Sequence, residues 1–343
     1  MTPASLQEAQ AFLAQAREPV VLIGGGTQLR PGFAAGALEL RTAMLNRLVE
    51  YAPADQVVTV EAGMTLAALQ RELSKNGQRL ALDAPFAERA TLGGIIAANS
   101  FGPLRARYGS VRDLIIGVSI FRADGTAAKG GGKVVKTVAG FDLPKLMCGS
   151  YGTLGMIATA TFRVHPLPEA QATLLARRAD PMELVSRVRA LQLEPVAMLA
   201  LGRDVYLRFE GFAAGVKQQR EKLRDLEEAP WPAFQDAPVR LKVAALPTQF
   251  AQVEKAIAPL QARLEWLPTL GLGFVFAQSA DAATIESARR ELLALGGSLT
   301  VEAAPFPVDV FGPAPAALRL NQAVKAQLDP QNILAPGRFV GRT

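Results

Sequence analysis

A series of glycine clusters in the first half of the chain, each beside a short apolar run, constrains its fold more than any other feature. Val20-Val21-Leu22-Ile23 leads directly into Gly24-Gly25-Gly26-Thr27. Ala90-Thr91-Leu92-Gly93-Gly94-Ile95-Ile96 sets two glycines before small apolar residues, and Gly102 and Tyr108-Gly109-Ser110-Val111-Arg112-Asp113 prolong that region. Then come Val138-Ala139-Gly140-Phe141-Asp142-Leu143 and Gly149-Ser150-Tyr151-Gly152-Thr153-Leu154-Gly155-Met156-Ile157. A strand that runs into glycines exposes backbone N–H groups and lets them approach a phosphate or a flat ligand closely. Each cluster alone reads equally well as a tight turn. The whole series in this order is hard to ascribe to turns.

Two well-known phosphate loops fail on the spelling. G-x-G-x-x-G from Gly24 requires glycine where Leu29 stands, and Arg30-Pro31-Gly32 follow where a helix should begin. A Walker loop fails at Gly132-Lys133, because Val134 takes the place of serine or threonine.

Scarcity bounds the remaining chemistry. The 343 residues include one histidine, His165, and one cysteine, Cys148. Neither an internal disulfide nor a zinc or iron–sulfur site of Cys/His ligands can be built from these, so no metal is expected. A Ser-His-Asp or Cys-His mechanism would have to run through His165. More demanding chemistry must come from a bound cofactor. The formal charge of +6 is spread along the chain without interleaved aromatics, which reads as solvated surface or an acidic ligand rather than nucleic acid. No apolar run approaches the ~18–20 residues of a membrane span. Met1-Thr2-Pro3 shows no signal peptide, and one free thiol suits the cytoplasm.

Periodicity supplies the elements. Thr2-Pro3-Ala4-Ser5 opens a helix, either with Pro3 in its first turn or with a Ser5/Glu8 capping box. Leu38–Leu40 and Val57–Glu61 read as strands, and Leu66, Leu69 and Leu73 as one face of a helix stopped at Asn76-Gly77. Ala123-Asp124-Gly125-Thr126 reads as a hairpin turn. Residues 84–113 carry few helix or strand signals. After Pro168 glycine clusters become rare and helical and strand patterns alternate, with helices expected over 181–191, 213–228, 248–264 and 280–295. The expected organisation is α+β, with domains over 1–168 and 169–310 and a returning segment over 311–343.

The order GGGT, ATLGG, RYGSVRD, GFDLPKL and GTLGMI resembles the FAD-binding domain of the vanillyl-alcohol-oxidase and para-cresol-methylhydroxylase (PCMH) type. Within that type, VVKTVAGFDLPKLMCGSYGTLG is similar to the FAD-binding subunits of bacterial glycolate oxidases. The likeness covers residues 1–168 and returns at Leu328-Asp329-Pro330-Gln331-Asn332-Ile333-Leu334-Ala335-Pro336-Gly337-Arg338. It implies a two-subdomain FAD domain followed by a smaller α+β domain, with FAD held non-covalently. Gly24, Gly25, Gly26, Thr27 and Gln28 would hold the pyrophosphate by backbone amides. Thr91, Gly93, Gly94, Asn99 and Gly102 would line the diphosphate and flavin. Asp113 would lie near the cofactor or hold its own loop. Gly140, Gly155 and Ile157 would sit by the adenosine and flavin edges, and Arg338 would return toward the flavin end.

The spelling departs from the type in three places. Tyr151 replaces an acid in G-S-E-G-T-L-G, and Ala335 replaces the asparagine of N-P-G-R. No histidine follows His165, whereas catalytic relatives carry a histidine-rich substrate site in the second domain. The resemblance therefore implies an oxidoreductase that holds FAD as one subunit of a glycolate oxidase complex. Its partners would be a larger catalytic FAD subunit and an iron–sulfur subunit, in the cytoplasm or at the inner face of the membrane through those partners. The substrate would be glycolate or a related 2-hydroxy acid. The alternatives are a self-sufficient flavin oxidoreductase and an assembly subunit with a structural FAD. Arg338 offers a cation for a carboxylate, but the sequence shows no general base.

Overall fold

Two competing start signals are resolved in the first helix. The computed structural model describes residues 1–28, 36–132 and 142–342. The helix runs Leu6–Gln15 with Ser5 as N-cap. Ser5 Oγ accepts the Glu8 amide at 3.2 Å, while the Glu8 carboxylate accepts the Ala4 amide at 2.9 Å. Pro3 stays outside, because the hydroxyl cap satisfies an orphan helix amide one turn later. Ala9 and Leu13 turn inward.

The chain divides into two compact units: Met1–Gly102 with Tyr108–Leu167 and Pro313–Thr343, and Pro168–Gly312 with Pro103–Arg107. In the first unit the strand Val20–Ile23 pairs in parallel with Leu38–Arg41 and on its other side bridges to Leu334. A five-stranded antiparallel sheet runs in the order Leu48–Ala52, Val57–Glu61, Met156–Arg163, Ile115–Phe121, Ala127–Gly131. Its inner face, with Val58, Val60, Val118, Ile120, Ala160 and Phe162, shares a core with Leu66, Leu69 and Leu73 of the helix Leu66–Ser74. The other face pairs Thr59 with Thr161 and Ser119 with Thr159 through their hydroxyls. The hairpin turn lies where Asp-Gly was read: Gly125 has φ +78° and Asp124 Oδ1 accepts the Thr126 amide at 2.9 Å.

The second unit is an eight-stranded antiparallel sheet. Its central strands are Asp204–Gly211, Ala197–Leu201, Arg263–Leu267, Leu272–Ala277 and Val239–Ala244. Alternation is clean along Asp204–Gly211, where Val205, Leu207 and Phe209 point into the core. Pro181–Ala190, Ala213–Lys222, Phe250–Ile257 and Ala282–Ala294 are the helices of this unit, and their apolar stripes complete the core. Helix and sheet are thus mixed in both units, in an α+β arrangement.

Several expected spans were too long. The stretch 248–264 contains the helix Phe250–Ile257 and then a tight turn Ala258–Leu260, because Pro259 cannot donate to an α-helical ladder. Gln261 has φ +47°, and the strand Arg263–Leu267 begins two residues later. The expected helix over 213–228 stops at Lys222. Residues 84–113 hold three short helices, Leu92–Ala98, Arg105–Tyr108 and Val111–Leu114, of which the first is capped by Thr91 and the last by a Ser110–Asp113 capping box, signals that carry no period.

Candidate functional site

The strand Val20–Ile23 delivers the Gly24–Gly26 loop against the segment Arg89–Thr91. A Cβ at Gly24 would fall on Thr91 Oγ1, and a Cβ at Gly25 on the Arg89 carbonyl oxygen. Only glycine permits this approach. Among the described residues the amides of Gly24, Gly25 and Gly26 have no hydrogen-bond partner. They are therefore available to an acceptor from outside the chain.

Thr91 starts the next wall. It is buried, and its Oγ1 caps the helix Leu92–Ala98 by accepting the Gly94 amide at 3.2 Å. The Leu92 and Gly93 amides donate to Met64 and Ala62 carbonyls at 2.8 and 2.7 Å. These amides are spent within the fold, so Gly93 and Gly94 offer the cavity a flat surface rather than donors. A Cβ at Gly93 would lie 2.9 Å from the Ala62 Cβ. The far end of the helix closes on Asn99, with φ +48°, while the Gly149 and Tyr151 amides donate to Ile96 and Ala97 carbonyls at 3.0 and 2.8 Å. That docking fixes the loop of Tyr151 and Gly152.

Together these segments line a half-open cavity whose space, solvent at its mouth included, is about 850 Å³. Gly24, Gly25, Gly26, Thr27, Gln28, Thr91, Gly93, Gly94, Gly155, Ile157 and Arg338 all line it. Arg338 is the one charged side chain among the described lining residues. Small and apolar walls, a strip of unspent amides and a single cation suit a flat, anionic ligand. FAD fits this description: its diphosphate needs donors and its ring system needs the flat glycine surface. The FAD fit rests on the unspent glycine amides and on the two positions that no Cβ could occupy.

Three expected site residues lie outside the lining. Asn99 caps the helix end in the left-handed region. Gly102 packs on the Asp83 carbonyl, leaving no room for a Cβ. Asp113 Oδ2 accepts the Ser110 amide at 2.8 Å and the Ser110 hydroxyl at 3.0 Å, which holds the start of the helix Val111–Leu114. Gly140 lies outside the described residues.

Neither unique residue lines the cavity. His165 is half-buried with its ring edge-on to Tyr108 at 5.2 Å between centroids. Burial, then the charges of Arg163 and Arg79, push its pKa down. Cys148 Sγ donates to the Pro144 carbonyl at 3.4 Å, and burial pushes the thiol up to about 12, which suppresses the thiolate.

Motif reading missed Thr42, Tyr151 and Met156, which also line the cavity. Tyr151 had been noted only as a departure; its φ of +52° and its ring 6.1 Å from that of Phe339 show a residue shaped by its loop. The departure at Ala335 has a backbone cause as well. Its φ is +45°, a conformation asparagine tolerates better than alanine, so the motif asparagine is explained without a side-chain contact.

A family profile described as an FAD binding domain matches residues 1–131. Glycolate oxidase subunit GlcE of Escherichia coli (strain K12) is 30% identical over 351 residues, covering 96% of this chain and 97% of that protein. Glycolate oxidase subunit GlcD of Bacillus subtilis (strain 168) is 33% identical over 202 residues, 57% of this chain and 43% of its own. D-2-hydroxyglutarate dehydrogenase of Xanthomonas citri pv. viticola is 33% identical over 180 residues, 51% of this chain and 38% of its own. Among solved structures, an alkyldihydroxyacetonephosphate synthase superposes with a TM-score of 0.75 at 16% identity, over 99% of this chain and 77% of that one, a likeness of fold.

Proposed function

The chain belongs to the family of FAD-binding flavoproteins that includes glycolate oxidase subunit GlcE, and from that premise we propose that it is the FAD-holding subunit of a complex oxidising glycolate or a related 2-hydroxy acid to the 2-oxo acid. Its cofactor is FAD. FAD, when bound, supplies the two-electron acceptor. The chain's own residues do the holding. Gly24, Gly25 and Gly26 aim free amides at the diphosphate. Thr91 fixes the helix that presents Gly93 and Gly94 to the ring system, and Gly155 and Ile157 close the opposite wall. Arg338 supplies the positive charge. Asn99, Gly102 and Asp113 hold the shape of these loops without touching the cofactor. His165 stands off the cavity, so FAD is held without a covalent bond to it.

The observation that carries this reading is the strip of three unspent glycine amides in a cavity walled by residues of the matched family. The accessory role rests on the lining. Loss of the hydroxyl proton from a 2-hydroxy acid calls for a base, and the described lining offers neither a carboxylate nor an imidazole. The larger FAD subunit supplies that group, and an iron–sulfur subunit receives the electrons. No helix among the described residues is long and apolar enough to cross a membrane. The chain works in the cytoplasm and reaches the inner membrane face through its partners.

Purified protein should be yellow and release its flavin on acid precipitation. Protein that is colourless and cannot be reconstituted with FAD overturns the reading. Anaerobic glycolate or D-lactate should bleach the isolated chain slowly and the assembled complex quickly. Equal rates would make the chain a self-sufficient enzyme.

A further inference from the structure

We propose that Lys325 and Asp329 are a positioning pair that sets two walls of the cavity, an inference that rests on the cavity being the FAD site. Both are buried, at 5% and 1% exposure, one helical turn apart at the end of Leu318–Leu328. An ammonium has three protons, and Lys325 Nζ has three acceptors: the Asp329 carboxylate, the Thr153 carbonyl at 2.8 Å and the Leu334 carbonyl at 2.7 Å. The Asp329 carboxylate accepts the Ile333 and Leu334 amides at 3.1 and 2.7 Å. All three ammonium protons are used, and both carboxylate oxygens accept.

The partners tie the pair to the cavity. Thr153 lies between Gly152 and Gly155, both lining residues. Leu334 bridges to Val20, and the Ala335 amide donates to the Val20 carbonyl at 2.8 Å. From Val20 the strand continues into the Gly24–Gly26 loop. From Ala335 the chain continues to Arg338 in the lining. One ammonium therefore holds the Gly152–Gly155 loop, the glycine-loop strand and the Arg338 segment in a single register.

Adhesion alone does not require this arrangement. Removing an ammonium and a carboxylate from water is costly, and an apolar pair of similar volume would hold a helix as well or better. An apolar pair cannot grip two carbonyls and two amides at fixed points.

The test separates adhesion from positioning. Lys325→Met alone strands a buried carboxylate and should lower the apoprotein's melting temperature. Lys325→Met with Asp329→Leu removes the stranded charge, though not the loss of partners for the backbone groups, and should restore part of that loss. In the partly restored double variant the dissociation constant for FAD, read by flavin fluorescence, should still be at least about tenfold weaker than in the parent chain. The visible flavin bands of the loaded variant should shift as well. FAD binding as tight as the parent's would overturn the proposal. Lys325→Arg gives a second measurement that keeps the cation. One planar fork cannot serve both carbonyls and Asp329 from a single nitrogen, so its FAD affinity should also fall, and unchanged affinity overturns the proposal equally. If the parent chain itself binds no FAD, the reading of the cavity fails before this inference is reached.

Discussion

The two units use glycine for different purposes. In the first, Gly24, Gly25, Gly63 and Gly93 are places where a neighbouring segment, by its backbone or a short side chain, leaves a Cβ no room. In the second, Gly202, Gly211, Gly215 and Gly296 have nothing within 4 Å of where a Cβ would stand. Four others there are crowded: Gly271 and Gly297 meet the Ala245 and Ala244 carbonyls, and Gly273 and Gly312 meet side chains of Leu264, Trp266 and Arg289. In the first unit the crowded Gly24, Gly25 and Gly93 line the cavity, whereas crowding in the second packs its sheet and the helix Ala282–Ala294 against their neighbours. The core of the second unit comes instead from β-sheet alternation and amphipathic helices, with Trp266 fully buried against Phe250.

Substitutions can break or sharpen that contrast. The largest effect is expected from Gly25→Ala, whose new methyl meets the Arg89 carbonyl; FAD absorbance at full reconstitution should vanish. Full retention would mean the loop is only a turn. In the second unit, Trp266→Ala should cost about 3–5 kcal/mol of unfolding free energy in denaturant titration. Its folded fraction should keep the parent's FAD affinity, and a lost affinity would erase the division of labour. Gly215→Ala fills open space in the helix Ala213–Lys222 and should stabilise by about 0.5–1 kcal/mol with unchanged flavin content. Ala335→Gly relieves a left-handed alanine and should raise the melting temperature by the equivalent of up to about 1 kcal/mol.

The smallest effect concerns His165. Its folded pKa lies below the ordinary 6.5, so the unfolded chain binds the proton more readily. Stability from this residue is complete above pH 6.5 and is lost as pH falls through 6.5 toward the folded value. Melting temperatures taken from about pH 7.5 to about pH 5 should show that decline. His165→Gln should flatten it, and an unchanged slope would assign the decline to other groups.

The same contrast explains what the sequence made legible. Glycine motifs mark backbone proximity, and those at Gly24–Gln28, Thr91–Gly94 and Gly155–Ile157 do meet in one cavity. A motif does not distinguish a residue that lines a cavity from one that holds its loop, and Asn99, Gly102 and Asp113 lie outside the lining. Leu66, Leu69 and Leu73 were readable because helical period survives without context. Lys325 was not, since a lysine near a helix end ordinarily reads as solvated, and only three-dimensional packing brings Thr153 and Leu334 to it. The strand Leu48–Ala52 escaped notice because its residues are largely exposed and lack alternation.

The strand Val20–Ile23 has one neighbour from residues 38–41 and the other from residues 333–335. During synthesis its first edge is satisfied early. Its second edge waits until residues 333–335 have left the ribosome. A nascent chain therefore carries an open apolar strand edge beside an incomplete cavity throughout the making of the second unit. Such an edge invites pairing with other chains. Closure of so distant a contact is slow on topological grounds. The early availability of FAD, or of a chaperone that shields this edge, should govern how much of the protein reaches its final form in the cell.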